Sequence, residues 1–217
     1  MRVLVLGASG GCGRWVVRLA AGAGHEVTAL VRPSTSFEPP PNVAVQRGSA
    51  LDAADLASAM EGQDILISCL GPQRTNPRNP WSRLRLPLHV AELSARAITT
   101  VLPRTRIRRV AVISAAGVGD SLAQTNGAMR WMLRHSTVGQ MYADLEAMER
   151  VLRGSAADWL AVRPVTLVNA APSARAKRLA RYRATSVIGR GDVAAWLLRA
   201  ATSDTPTEDR TPMIGWW

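Results

Sequence analysis

The sequence predicts an α/β fold built on a doubly wound, mostly parallel sheet with helices on both faces. Three observations carry this. Short runs rich in valine, isoleucine and leucine alternate with stretches of helical periodicity along the whole chain. Several of those runs are apolar at nearly every position, as strands covered on both faces are. A glycine-rich turn, "GASGGCG" from Gly7 to Gly13, joins the first strand-like run to the first helical stretch.

The elements follow in order. Val3–Leu6 reads as the first strand, and Arg14–Ala23 as a small-residue helix ending among Gly22 and Gly24. "EVTALV" (26–31) is the second strand, and "VAVQ" (43–46) the third after a proline-rich loop. Asp52 is placed to cap a helix that Gly62 closes. "DILISCLG" (64–71) is a fourth strand, residues 87–103 a helix, and "RVAVISAAG" (109–117) a fifth strand. Residues 138–155 have apolar positions at helical spacing, and "DWLAVRPVTLV" (158–168) is a sixth strand. A helix over 189–203 and a short strand at "TPMIG" (211–215) complete the pattern. Segments 72–86 and 120–137 read as irregular. Right-handed crossovers between parallel strands put the strand C-termini along one edge, where open α/β sheets bind ligands.

With 217 residues and 47% hydrophobic composition, the chain fits one α/β domain over 1–217 and is not a disordered chain. No apolar run reaches the roughly 18 residues of a membrane span. The N-terminal run lacks signal-peptide order. Cys12 and Cys69 follow apolar strands and form no spaced framework, so a cytoplasmic setting is expected. His25, His89 and His135 lie far apart in sequence, and no metal is expected. The net charge of +11 is almost entirely arginine, Lys177 being the only lysine. The clusters "RTRIRR" (104–109) and "RAKRLARYR" (175–183) carry no nucleic-acid motif, so the charge reads as a solvated arginine-rich surface.

Gly7, Gly10 and Gly13 have G-x-x-G-x-x-G spacing, with Gly11 in addition and Ser9 and Cys12 between them. Free amides at a helix start, the helix dipole and a backbone without Cβ together form a cradle for a pyrophosphate. Cys12 reads as a small packing residue within it. At the end of the second strand stands Arg32, followed by Pro33 and Ser34. An acidic residue there would hold a ribose 2′-hydroxyl; a guanidinium with a hydroxyl nearby suits a 2′-phosphate, hence NADP(H).

At these residues the chain resembles the atypical short-chain dehydrogenase/reductase group of NAD(P)H-binding proteins. It is most similar to the biliverdin reductase B/flavin reductase-like branch, which is NmrA-like in character. The resemblance runs through "GASGGCG", "LVRPS", "LDAADLASAMEGQDILISCLG", "VAVISAAGV", "MERVLRGSAADWLAVRPVTLV" and "IGRGDVAAWLL". It implies a Rossmann-type fold and further cofactor contacts. Where relatives place Gly-Asp against the adenine, this chain has Gly48-Ser49, so that contact is weaker or falls to backbone near Ala50 and Leu51. Cys69, Leu70 and Gly71 would line the ribose. Ser114 and Ala115 would face the nicotinamide, and Pro164, Val165 and Thr166 would close the pocket.

Ser114 and Tyr142 are the candidate catalytic residues. Many short-chain dehydrogenases pair tyrosine with a lysine four residues on, but here that position is Glu146, with Asp144 close by. A carboxylate raises a phenol pKa, so simple ketone chemistry is not expected. A flavin, quinone or tetrapyrrole-like acceptor delocalises the arriving charge and needs chiefly positioning. Trp81, Trp131, Met129 and Met132 are placed to hold such a planar substrate, unless they simply pack. Arginines 74, 78, 83, 130 and 134 could attract an anionic one. Three readings stand: an NADPH-dependent reductase of planar acceptors, a non-catalytic NADP(H)-sensing regulator, and an NADP-dependent epimerase or reductase of a biosynthetic intermediate.

Overall fold

A computed structural model describes residues 1–183, 185–205 and 208–216. β1 (Arg2–Leu6) passes through the glycine turn into α1 (Gly11–Gly22), and β2 (Glu26–Val31), β3 (Val43–Arg47) and α2 (Ala53–Met60) follow. Next come β4 (Ile65–Ser68), α3 (Val90–Val101), β5 (Arg109–Ile113), α4 (Gly127–His135) and α5 (Val138–Arg153). The C-terminal part holds β6 (Trp159–Pro164), β7 (Thr166–Val168), β8 (Lys177–Arg178), β9 (Val187–Gly189), α6 (Arg190–Thr202) and β10 (Met213–Gly215). The main sheet runs β3-β2-β1-β4-β5-β6-β10-β8 and is parallel except for β8 against β10; β7 and β9 form a separate parallel pair.

Alternation along the strands divides the core. Val3 and Val5 of β1 face α1 and α6, packing on Val16, Val17, Val193 and Leu197. Leu4 and Leu6 belong to the opposite layer, with Leu56, Ile98, Leu145 and Leu152 from α2, α3 and α5. The period-2 side-chain pattern of strands thus yields helices on both faces. Asp52 caps α2 as expected, its Oδ1 accepting from the amides of Ala54 at 2.9 Å and Asp55 at 3.0 Å.

Three stretches depart from the sequence reading. The run 158–168 is two strands in different sheets: β6 ends at Pro164, the Val165 amide donates to the Ile214 carbonyl, and the chain then leaves to pair with β9. The segment 120–137 holds a 3-10 turn over Gly119–Gln124 and then α4, whose start is capped by Asn126 Oδ1 accepting from Met129 at 2.8 Å. And α1 begins inside the glycine motif, at Gly11.

Below the C-terminal edge lies a buried ion pair. Arg163 on β6 donates from Nε and Nη2 to the two Glu149 oxygens at 2.9 and 2.6 Å, both side chains being 2% exposed. Ser114 Oγ donates to Glu149 Oε1 at 2.6 Å, and Arg163 Nη1 reaches Asp120 at 2.7 Å. The network ties β5, β6, α5 and the 119–124 turn together. Glu149→Ala leaves a buried guanidinium without its partner and should cost about 3–5 kcal/mol. Asp120→Ala, removing a carboxylate that is 75% exposed, should cost about 1 kcal/mol or less. Guanidinium denaturation of both variants measures the difference; equal midpoints would show that the pair holds nothing.

Candidate cofactor site

The turn leaving β1 is shaped by what its glycines exclude. Gly7 has φ +71°, and a Cβ there would lie 3.0 Å from the Cys69 carbonyl. A Cβ on Gly13 would lie 2.8 Å from the Gly7 carbonyl carbon and 2.9 Å from Ala8 Cα, so α1 can approach the turn only as glycine. A Cβ on Gly10 would meet only the Gly7 carbonyl oxygen, at 3.2 Å, and Gly10 itself borders a cleft. The α1 N-terminus has no side-chain cap and no acidic residue in its first turn. The Gly10 amide turns back to the Gly7 carbonyl and Arg14 to Gly10, which leaves the amides of Gly11, Cys12 and Gly13 without acceptors among the described residues. Three such donors at the positive end of a helix could hold an anion.

The cleft encloses about 420 Å³ at the C-terminal edge of the sheet. Gly7, Ser9 and Gly10 border it beside α1, and Arg32, Ser49, Ala50 and Leu51 come from the ends of β2 and β3. Cys69, Leu70 and Gly71 after β4 complete the expected lining. Among the described residues its wall contains Arg32 and Arg85 and no carboxylate. Arg47 Nη1 donates to the Arg32 carbonyl at 3.3 Å and the Thr35 carbonyl at 2.6 Å, fixing the loop from which Arg32 projects. Asp55 Oδ2 accepts from the Ser49 amide at 2.7 Å, and Ser49 Oγ from the Leu51 amide at 3.2 Å. The loop after β3 is therefore shaped by α2, with its backbone at the cleft. Burial pushes the Cys12 thiol up to about 11 against the pull of Arg190, and burial raises Cys69 well above its usual value. Both are neutral packing groups near pH 7.

The structure adds residues that sequence reasoning missed. Thr35 lines the cleft, whereas Ser34 is exposed and outside its wall. Gln73 and Arg85–Pro87 form the far side, carried by a short hairpin in which Arg74 bridges Leu84. No spacing in the sequence marks that hairpin. A second concavity of about 270 Å³ lies at Gly117–Gly119, Leu122, Arg130, Leu133, Arg134, Tyr142 and Glu146.

Other expected residues fall elsewhere. Ser114 is 4% exposed, and its hydroxyl is committed to Glu149 instead of standing free where nicotinamide and substrate would meet. Tyr142 borders the second concavity, but its hydroxyl donates to the Ala116 carbonyl at 3.2 Å, and burial raises its pKa. Ala115 packs on the core, and Val165 lies within it. Pro164 is buried at the end of β6, and its carbonyl accepts from Ala116. Thr166 Oγ1 lies 2.8 Å from the Tyr182 hydroxyl. None of these lines the large cleft. Trp81 and Trp131 do not line it either. Each is 56% exposed, and they meet edge to face at 6.5 Å while Trp81 Nε1 donates to the His135 carbonyl. These tryptophans dock the hairpin onto α4.

His89, Glu92 and Asp144 bring one potential metal-ligand atom each within 4.8 Å of one another. Asp144 already accepts from the Ala91 and Glu92 amides, and Glu92 from Arg96, so the carboxylates serve α3 and its ion pair.

A glycine turn with free amides and an arginine-bearing cleft beside it suits a dinucleotide, and comparison with known proteins is decisive. The model of a family described as NAD(P)H-binding matches residues 7–204. The chain belongs to this family. Among solved structures, this NAD(P)H-binding protein is similar to the anaerobillin reductase ChuY of Escherichia coli O157:H7, with TM-score 0.77 and 21% identity over 99% of this chain and 96% of that one. It is also similar to a short-chain dehydrogenase/reductase of Veillonella parvula DSM 2008 in complex with NADP, with TM-score 0.77 and 17% identity over 99% and 94% of the two chains. These likenesses establish the Rossmann-like fold. A curated relative, an isoflavone reductase homolog of Zea mays, is 36% identical over an 80-residue alignment that covers 32% of this chain and 26% of that protein. The match thus spans about a quarter of the curated relative's length. Among the described residues, no helix is long and apolar enough to cross a membrane.

The free amides and the open side of Gly10 fit a diphosphate. Gly10→Val puts a branched side chain at the cleft and should weaken NADPH binding by more than about 100-fold, the scale of losing several charge-assisted contacts, with the fold intact by circular dichroism. Unchanged affinity in calorimetric titration would remove the cradle.

Proposed function

We propose that this protein is an NADPH-dependent cytoplasmic reductase, acting within one domain over 1–217, that delivers hydride to a planar conjugated acceptor without a tyrosine–lysine dyad. The observation that carries this reading is the cleft wall, which joins the glycine turn to Arg32 and Arg85 and holds no carboxylate. A ribose 2′-phosphate would be repelled by an acidic residue at the end of β2 and is matched by a guanidinium there. When bound, the nicotinamide supplies the hydride. The chain's own part is to fix the diphosphate at the α1 amides and the adenosine half among Arg32, Ala50, Leu51 and Leu70.

No side chain at the ends of β5 and β6 is tuned for proton transfer. Ser114 Oγ donates its hydrogen bond to Glu149, and burial raises the Tyr142 phenol pKa, with Glu146 where a lysine would lower it. An acceptor that spreads charge over a conjugated system, such as a flavin, quinone or linear tetrapyrrole, does not require a strong acid at that point. Arg130 and Arg134 beside Tyr142 suit an acceptor with anionic groups. The same poverty of acid/base groups favours a second reading, a sensor that binds NADP(H) without turnover.

Two variants test the proposal. Arg32→Asp should cost ~1.5–3 kcal/mol of NADPH binding, the size of a lost charge-assisted hydrogen bond, and change NADH binding far less. An equal loss for both would mean that Arg32 does not read the 2′-phosphate. A positioned general acid is worth ~10²–10⁴ in rate, whereas Tyr142→Phe should slow NADPH oxidation with a flavin or quinone less than about tenfold. Fast ketone reduction abolished by Tyr142→Phe would overturn the mechanism, and bound NADPH with no turnover on any acceptor would establish the sensor.

A further inference from the structure

The Arg190 side chain lies across Gly11. A Cβ on Gly11 would sit 2.7 Å from Arg190 Cδ and 2.8 Å from Nε, so the fourth glycine of the turn makes room for this arginine. Arg190 is the first residue of α6, and both neighbouring glycines allow tight seating. A Cβ on Gly189 would meet the Trp216 ring at 2.8 Å, and one on Gly191 would lie 2.6 Å from the Ala171 carbonyl carbon. Asp192 secures the same junction by accepting from the Ser173 and Ala174 amides and from Trp216 Nε1. The guanidinium thus projects from a braced platform.

Its hydrogen bonding is incomplete. Nη1 donates to Asn169 Oδ1 at 2.7 Å, but Nε and Nη2 have no acceptor among the described residues, and no carboxylate pairs with the side chain. Beside it lie the free amides of Gly11, Cys12 and Gly13 and the positive end of α1, which has neither cap nor acidic residue. A cation placed at a helix N-terminus is electrostatically unfavourable by itself. An anion between the two reverses that sign.

We propose that Arg190 is a ligand of the cofactor diphosphate, which it holds from α6 while the α1 amides hold it from the turn. A planar guanidinium with donors to spare matches phosphate oxygens in the two-pronged manner that a lysine cannot reproduce. The inference rests on the dinucleotide reading of the cleft and not on which acceptor is reduced. The other source of the same chemistry is an anionic group of the acceptor.

The test needs no turnover. The full chain and its Arg190→Ala and Arg190→Lys variants, matched for circular dichroism and thermal midpoint, are titrated with NADPH and with adenosine 2′-monophosphate, which lacks the diphosphate. Arg190→Ala should bind NADPH roughly tenfold or more weakly and adenosine 2′-monophosphate within about twofold of wild type, while Arg190→Lys recovers part of the loss. Should the alanine variant not fold, Arg190→Gln keeps a stem over Gly11, drops the charge and is read against the same two ligands. Unchanged NADPH affinity in the uncharged variant overturns the proposal. So does unchanged NADPH affinity with a raised KM for a carboxylate-bearing acceptor, which would assign Arg190 to the substrate. A wild type that does not bind NADPH would fail the dinucleotide reading as well; a wild type that binds, with variants that bind equally, fails this inference alone.

Discussion

The site depends on how closely α1 approaches the turn that leaves β1. Gly13 lets the helix start against the Gly7 and Ala8 backbone, and Gly7 takes a left-handed conformation against Cys69. With the helix that near, the Gly11–Gly13 amides have no acceptor among the described residues and remain donors at the strand edge. Pulling α1 back by the width of a methyl group would also loosen its packing through Val16, Val17 and Ala20. Core packing and the exposure of these donors are therefore one constraint, imposed by the absence of Cβ atoms.

The polar groups near the C-terminal edge divide by task. Ser114, Glu149 and Arg163 satisfy one another in the core and hold β5, β6 and α5 in place. Arg32 and Arg85 stay in the cleft wall, and Arg190 stays beside the α1 N-terminus. What remains at the site is positive charge and shape, with little that can exchange a proton near neutral pH. Such an arrangement binds and orients a dinucleotide well, and it limits the proposed chemistry to acceptors that accommodate charge themselves.

Local features were legible in the sequence and long-range ones were not. The glycine spacing, the Asp52 cap and the arginine at the end of β2 are each set by a few adjacent residues; the structure forms the cap as read and puts Gly7, Gly10 and Arg32 at one cleft. The break at Val165 was hidden because "DWLAVRPVTLV" reads as one strand-like run with no glycine or turn pair inside it, and only pairing with β9 and β10 separates its halves. The helix α4 lies in a segment read as irregular, and its start is set by Asn126 accepting from the Met129 amide. Trp81 and Trp131 share a composition suited to a planar ligand, and composition carries no information about which way a ring faces. Ser114 read as a free hydroxyl because its partner, Glu149, lies on a different element. Arg190 meets Gly11 only through the packing of α6 on α1, so no motif announced it.

Hydrogen–deuterium exchange of the full chain with and without NADPH tests the central claim most directly. The account predicts strong protection of the amides of residues 10–13, with further protection in 32–35 and 48–51 and little change in α4. Protection confined to other segments, with the glycine turn exchanging as fast as in the free protein, would contradict it.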